Sequence, residues 1–311
     1  KTDKVSLQRL ADDGDEKVIS LFAARTAHKL GVSLVSNLTS FREAEGDGCI
    51  YPSVRTTGAR TGRFSYSDPP LQQIPKHDTV LGPAARRMFG ARDGYTAGAD
   101  FSQVELRVIA ALSNEPVLLD AFAQGRDPHA ETAAGMFGVE LANVSEQQRF
   151  SAKAINFGIP NGMKERRLAV ILKCSTAEAT RYLNNHRAAL PTMHDWMART
   201  WEEGERYRVV STLSGRTRVF TAGESTLPSV SQKMQGTAAE LMRAALIAVD
   251  EAGCEPIMSV HDEIITQSPL HKGIEVARIM QEAANAAFPD ELGAVDFVAA
   301  GGEGTRWADV H

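Results

Sequence analysis

The sequence predicts an α+β fold in which a small strand-built lobe carries a large, all-helical insertion. Three observations predict it. Strand-like apolar runs flank a long helical stretch, at Tyr95–Ala99 before it and at Val209–Phe220 and Ile257–Gln267 after it. The stretch between, from about Ser102 to Arg208, is broken only near Asp127-Pro128, Pro160 and Pro191. An acid interrupts each of two apolar runs, Asp100 at the end of the first and Asp262 within the last.

Residues 1–45 read as helices, with apolar spacing at Val18, Leu21 and Phe22 and then at Leu30, Val35 and Leu38. Residues 46–80 are rich in Gly, Pro, Ser and Thr and read as strands and loops. Ser214-Gly215 is a turn signal between Val/Thr-rich runs, which predicts a hairpin over Val209–Phe220. A helix is expected from about Ser229 to Ala252, followed by a hairpin tipped by His261-Asp262-Glu263. A further helix and a mixed tail complete the chain.

The 311 residues are 43% apolar and 23% charged, the balance of a soluble globular protein of two or three lobes. No apolar run reaches the roughly 18 residues of a membrane span. The chain starts at Lys1 rather than Met and is expected to be part of something longer, or trimmed. Cys49, Cys174 and Cys254 form no CxxC pair, so neither zinc nor a disulfide framework is expected, and a reducing, intracellular setting fits. The net charge of −5 hides segregation. Arg149 to Lys173 holds six Lys/Arg against the single acid Glu165, and Arg206 to Arg218 holds four Arg and no acid. Such segments either build a local anion-binding surface or form solvated helix faces.

A carboxylate closing a buried strand is costly unless it is paired or holds a metal. Asp100 and Asp262, if they converge at one sheet edge, suit Mg²⁺, a hard cation that prefers oxygen. Asp262 alone reads equally as a turn cap. Ser102-Gln103-Val104-Glu105 has the form of a capping box opening a helix. Arg149, Lys153, Phe157 and Asn161 recur every fourth residue, along one slowly drifting helix face. That face either grips the phosphates of a nucleotide, with Phe157 stacked on base or sugar, or is an ordinary surface pair above a core Phe. Pro160 is expected to end or kink the helix.

Six motifs, in order, resemble DNA polymerase family A, the bacterial DNA polymerase I type. Thr61-Gly62-Arg63-Phe64-Ser65 through Asp68-Pro69-Pro70-Leu71-Gln72-Gln73-Ile74-Pro75 resembles its primer-binding segment. Asp100-Phe101-Ser102-Gln103-Val104-Glu105-Leu106-Arg107 resembles motif A, and Gly125-Arg126-Asp127-Pro128-His129 the stretch that follows it. Arg149, Lys153 and Asn156-Phe157-Gly158 resemble motif B, the O helix. Met234-Gln235-Gly236-Thr237 resembles a primer-template helix, and Val260-His261-Asp262-Glu263 resembles motif C. The similarity covers roughly residues 50–311.

The resemblance implies a right-hand fold with an antiparallel palm sheet and helical fingers. Residues 1–45 would be a truncated or reduced thumb, 46–106 and 209–311 the palm, and 107–208 the fingers. It implies template-directed addition of dNTPs to a primer 3′-OH by two Mg²⁺ ions, with Mn²⁺ able to substitute. Asp100, Asp262 and the Phe101 carbonyl would hold the metals. Arg149, Lys153 and His129 would hold the triphosphate, with Lys153 a candidate acid for pyrophosphate. Gln103, Phe157 and Asn161 would complete the nucleotide pocket, Phe157 as the residue that disfavours dideoxynucleotides. Glu105 would gate against the ribose 2′-OH. Arg63, Thr61, Gln72, Gln235 and His261 would bind primer-template, with Glu263 supporting the primer end in the catalytic group. The implied partners are primer-template DNA and dNTPs, an upstream domain or accessory replication proteins, and no membrane. The implied setting is the cytoplasm, or a host's if phage-encoded. No exonuclease region is present, so proofreading is not expected from this chain.

Two departures qualify the resemblance. The family's O helix has Tyr where this chain has Asn161 after Pro160, which predicts a kinked helix and altered fidelity. Leu227 and Ser231 replace Arg and Asn, which predicts a rerouted grip on DNA. A single-subunit RNA polymerase and a non-catalytic binding relic are the alternatives. Glu105 argues against the first, and the joint presence of Asp100, Asp262, Arg149 and Lys153 against the second.

Overall fold

A computed structural model describes residues 15–28, 37–74, 81–267 and 269–310. Leu30 and Val35, expected on a helix, lie outside the described residues. The chain divides into two compact units, one through Arg55 with Ser65–Met88, the other of Thr56–Phe64 with Phe89 onward.

In the first unit, α1 (Glu16–His28) and α2 (Asn37–Glu45) are the expected helices. The Asp15 carboxylate accepts from the amides of Lys17 and Val18 at 3.0 and 3.2 Å, which caps α1. β1 (Ser53–Arg55) and β2 (Ser65–Ser67) pair antiparallel, with Val54 opposite Tyr66. A short 3₁₀ turn at Leu71–Gln73 buries Leu71, and α3 (Leu81–Arg86) follows.

In the second unit, β3 (Thr96–Phe101) opens the sheet and the helical insertion follows it directly. The insertion runs through α4 (Val104–Ser113), α5 (Pro116–Ala123), α6 (Pro128–Phe137), α7 (Glu146–Gly158), α8 (Glu165–Leu172), α9 (Thr176–Ala189) and α10 (Pro191–Tyr207). Pro116, Pro128 and Pro191 each sit in a helix's first turn, where the missing N–H has no helical partner to lose. Pro128 and Pro191, read as breaks, therefore mark starts. Ser145 with Gln148 and Ser175 with Glu178 form reciprocal capping boxes on α7 and α9.

The chain returns through the hairpin β4 (Val209–Ser211) and β5 (Thr217–Val219), then the long α11 (Ser229–Glu251). β6 (Pro256–Val260), β7 (Glu263–Thr266), α12 (Gly273–Ala287), α13 (Pro289–Leu292) and β8 (Ala299–Gly304) finish the fold. The sheet order is β6-β7-β3-β8 and every neighbour is antiparallel. The fold is α+β, as the strand-flanked helical stretch implied.

The first helix of the insertion, α4, is buried on two faces. Val104 and Val108 pack with Leu241 and Ala245 of α11 and Val276 and Met280 of α12, beneath Ala99 and Phe101 of β3. Leu106, Ile109 and Ala110 turn toward Leu190, Met193 and Trp196 of the insertion. One helix thus seats the insertion on the sheet. The insertion has a core of its own around Met136, Ala152, Ile155 and Leu168.

Two sequence readings change. Helix α4 starts at Val104 behind Gln103, which is left-handed at φ 55° and makes no side-chain cap bond. The Ser102 amide donates to the Val298 carbonyl at 2.8 Å, so it is not available to Glu105. The capping box is therefore absent, because the strand edge takes the donor that the box needs. The tip of the last hairpin is the two-residue turn His261-Asp262, and Glu263 pairs with Val260.

Candidate active site

Main-chain register brings the two interrupting acids together. Asp100 of β3 stands opposite Glu263 of β7, and Ala99 opposite Ile264. One residue before β7, the Asp262 carbonyl accepts from the Phe101 amide at 3.0 Å. Residues 162 positions apart are therefore backbone neighbours at one end of the sheet. Asp100 and Asp262 are both half-buried, and one carboxylate oxygen of Asp100 is shielded from solvent. Gly98 allows β3 and β7 to come this close, because a Cβ there would lie 2.4 Å from the Ile264 carbonyl oxygen. The turn is tightened by His261, which is exposed and sits at φ 58°.

The donors at this sheet end are hard oxygens, the type that suits Mg²⁺. Among the described residues no group of three or more His, Cys, Asp or Glu is clustered so that it could hold a metal ion. A metal here would draw on two carboxylates, main-chain oxygen and exchangeable ligands, the pattern of a substrate-bridging ion rather than a closed structural cage. The Phe101 ring itself belongs to the core. Glu263 is 1% exposed and accepts from the Trp307 indole nitrogen at 2.8 Å, which anchors the hairpin from beneath.

Arg149, Lys153 and Phe157 lie along α7 as the four-residue spacing predicted. Arg149 bonds the carboxylate of Asp127, which caps α6 by accepting from the His129 amide at 2.8 Å. Burial pushes the Asp127 carboxyl up, but the bonds from Arg149 and His129 outweigh it and hold it below its ordinary range. His129 is 2% exposed. Burial lowers its pKa to about 4, Asp127 opposing and the cations Lys153 and Arg149 reinforcing. Its ring lies against Phe157, centroids 5.5 Å apart. His129, Arg149, Lys153 and Phe157 are thus one cluster, drawn from two helices. Lys153, Phe157 and Asn161 also line an open cleft of ≈ 790 Å³ that reaches Lys164, Arg166 and Arg167.

Helix α7 ends at Gly158, and Ile159–Asn161 continue as a 3₁₀ turn, so Pro160 has the effect predicted. Asn161 donates to the Phe157 carbonyl at 2.8 Å and accepts from Gln235 of α11 at 3.1 Å. Arg63 forms an ion pair with Glu105, which joins two residues read separately from the sequence. Thr61 lies near α11, its carbonyl 3.5 Å from where a Cβ on Gly236 would sit. Gln103 occupies the left-handed position before α4, and Gln72 lies on the 3₁₀ turn of the first unit. Leu227 borders Gly162, and Ser231 bonds the Pro228 carbonyl at 3.1 Å.

Three of the four arginines in the second basic segment are engaged by the fold. Arg208 bonds the carbonyls of Thr221 and Glu224, Arg216 those of Arg60 and Ala59, and Arg218 the Glu224 carboxylate. The segment from Arg149 to Lys173, by contrast, lines a cleft. Sequence reading missed the buried polar chain behind His129, made by Asn156, His186 and His194. Asn156 was visible only within its motif, and no spacing ties histidines on two other helices to it.

The sequence model of DNA polymerase family A matches residues 1–309. The chain belongs to DNA polymerase family A. It is 38% identical over 256 residues to the thermostable DNA polymerase I of Thermus aquaticus, across 78% of this chain and 31% of that protein. It is 37% identical over 288 residues to DNA polymerase I of Pseudomonas aeruginosa, across 85% of this chain and 30% of that one. The chain thus spans about a third of these family A relatives. A solved structure of the POL domain of Pol1 from M. smegmatis, in complex with DNA primer-template and dNTP, superposes with TM-score 0.88 at 28% identity. That match covers 100% of this chain and 57% of the other.

Proposed function

We propose that this chain is a template-directed DNA polymerase domain that adds dNTPs to a primer 3′-OH. The observation that carries the reading is the pairing of Asp100 and Asp262 at one sheet end through the Phe101–Asp262 bond. Residues 107–208 are its fingers, and 46–106 with 209–311 its palm.

Asp100, Asp262 and the Phe101 carbonyl would hold two divalent cations, Mg²⁺ or Mn²⁺. When bound, such a pair lowers the pKa of an attacking hydroxyl and neutralises charge on the leaving phosphates. Arg149, Lys153 and His129 hold the triphosphate by charge and hydrogen bonding, which fixes the α-phosphate in line with the primer end. Lys153, exposed at the cleft, is placed to give a proton to pyrophosphate. Phe157 packs on the sugar. Glu105, fixed by Arg63, excludes a ribose 2′-OH. Gln103 and Asn161 complete the nucleotide pocket. Arg63, Thr61, Gln72, Gln235 and His261 contact primer and template, and Glu263 steadies the primer end through the turn it anchors.

The test is primer extension with Asp100→Asn and Asp262→Asn in Mg²⁺ and in Mn²⁺. Extension is expected to vanish in both variants while DNA binding by gel shift persists. Extension at the parent rate by either variant would overturn the reading. A parent chain that binds DNA but extends nothing would favour a non-catalytic binding role.

A further inference from the structure

We propose that Asn156, His186 and His194 are positioning residues that lock His129 into the neutral form carrying its proton on Nε2, so that it presents an N–H donor to the triphosphate. The proposal rests on the reading that His129 contacts phosphate.

The direction of every bond follows from one anchor. The Thr132 hydroxyl donates its proton to the Pro128 carbonyl at 2.7 Å, and a carbonyl can only accept. Toward Asn156, 3.1 Å away, Thr132 Oγ1 can therefore only accept, so the amide nitrogen of Asn156 faces it. The second proton of that nitrogen points to Nδ1 of His129 at 3.0 Å. His129 Nδ1 is thus a bare acceptor, and the ring's proton is on Nε2.

The other side of Asn156 closes the same way. Its oxygen faces Nε2 of His186 at 2.7 Å and can only accept, so His186 carries its proton there. His186 Nδ1 is then bare and accepts from Nε2 of His194 at 2.9 Å. With the Thr132 hydroxyl engaged by Pro128, each donor proton along the chain has one acceptor.

Burial supports this arrangement. Asn156 is 2% exposed and His186 0%. Burial lowers His186 to about 3, with His194 adding to it, and lowers His194 to about 4. All three rings are therefore neutral near pH 7, and a neutral ring's tautomer is set by its partners. The opposite tautomer of His129 would turn a lone pair toward the phosphates and repel them. The three residues touch no part of the reacting centre. They act through His129 alone.

The experiment uses the 311-residue chain with histidines labelled in ¹⁵N. Long-range ¹H–¹⁵N spectra at neutral pH, assigned with His129→Gln, read the His129 tautomer directly. The Nε2–H form is expected in the parent, and the Nδ1–H form would overturn the proposal even if no variant folds. Single-nucleotide incorporation is then measured for His186→Leu, which removes the donor to Asn156, and His186→Gln, whose amide restores it. His186→Leu should mix the tautomers and raise the dNTP KM roughly tenfold with kcat little changed, about one hydrogen bond to a charged group. His186→Gln should restore both. Unchanged tautomer and KM in a folded His186→Leu would overturn the relay. A parent KM in His129→Gln would instead remove the phosphate contact and leave the tautomer result standing.

Discussion

Gln235 donates from Nε2 to the side-chain oxygen of Asn161 at 3.1 Å, and Asn161 donates from Nδ2 to the Phe157 carbonyl at 2.8 Å. Asn161 stands where the family's O helix carries Tyr. Its side chain satisfies a carbonyl at a helix end that Pro160 has cut short, and it occupies a Gln expected on the DNA.

Asn161→Tyr removes both bonds. It releases Gln235 and supplies a ring able to stack. Misincorporation should fall by a factor of roughly two to ten, the worth of one ordinary hydrogen bond. A gap-filling assay with one dNTP withheld measures it, and equal error rates in variant and parent would end the idea.

Glu105→Ala tests the sugar gate. The Glu105 carboxylate is 16% exposed and held by Arg63, so it cannot swing aside for a 2′-OH. Its loss should raise the NTP/dNTP selectivity ratio on the order of tenfold or more, one buried polar clash being worth that much. Parallel extension with NTPs and dNTPs checks it. Unaltered selectivity would place the gate elsewhere.

Gly98→Ala tests the backbone register. The new Cβ would sit 2.4 Å from the Ile264 oxygen, a main-chain atom that cannot rotate away. β7 must shift, and the Asp262 turn with it. Stability should drop by about 1–3 kcal/mol in urea titration, and extension should drop further than global unfolding explains. Parent-like values of both would show that the strands tolerate a wider spacing.

The buried histidines predict an acid-sensitive fold. His129, His186 and His194 have folded pKa values lowered to about 4, 3 and 4 from an ordinary 6.5. The unfolded chain then binds more protons than the folded one as pH falls below about 6.5, so stability declines from there toward pH 4. Urea midpoints at pH 7 and pH 5 read the decline. His186→Gln with His194→Gln should flatten the slope, and an unchanged slope would assign it to other groups.

The strand-flanked helical stretch, the hairpin at Ser214-Gly215 and the bend at Pro160 were legible because turn chemistry and apolar period agree there. The face of Arg149, Lys153 and Phe157 was legible from spacing alone. What periodicity does not encode is which donor is already engaged. Ser102 carries the letters of a capping box, yet its amide pairs with Val298 across the sheet. The arginines of 206–218 look like an anion site, yet Arg208 and Arg216 bond main-chain carbonyls and Arg218 pairs with Glu224. The Arg63–Glu105 pair and the His186–Asn156 link join distant segments, and such contacts leave no local trace.

Between Asp100 and Asp262 the ribosome must lay down about half of this chain. Closing so long a loop is entropically costly and follows the local helices in time. A nascent chain therefore acquires the helix of Arg149 and Lys153 before its two acids meet. Under the proposed function, the joining of a nucleotide to DNA waits until the last hairpin zips onto β3.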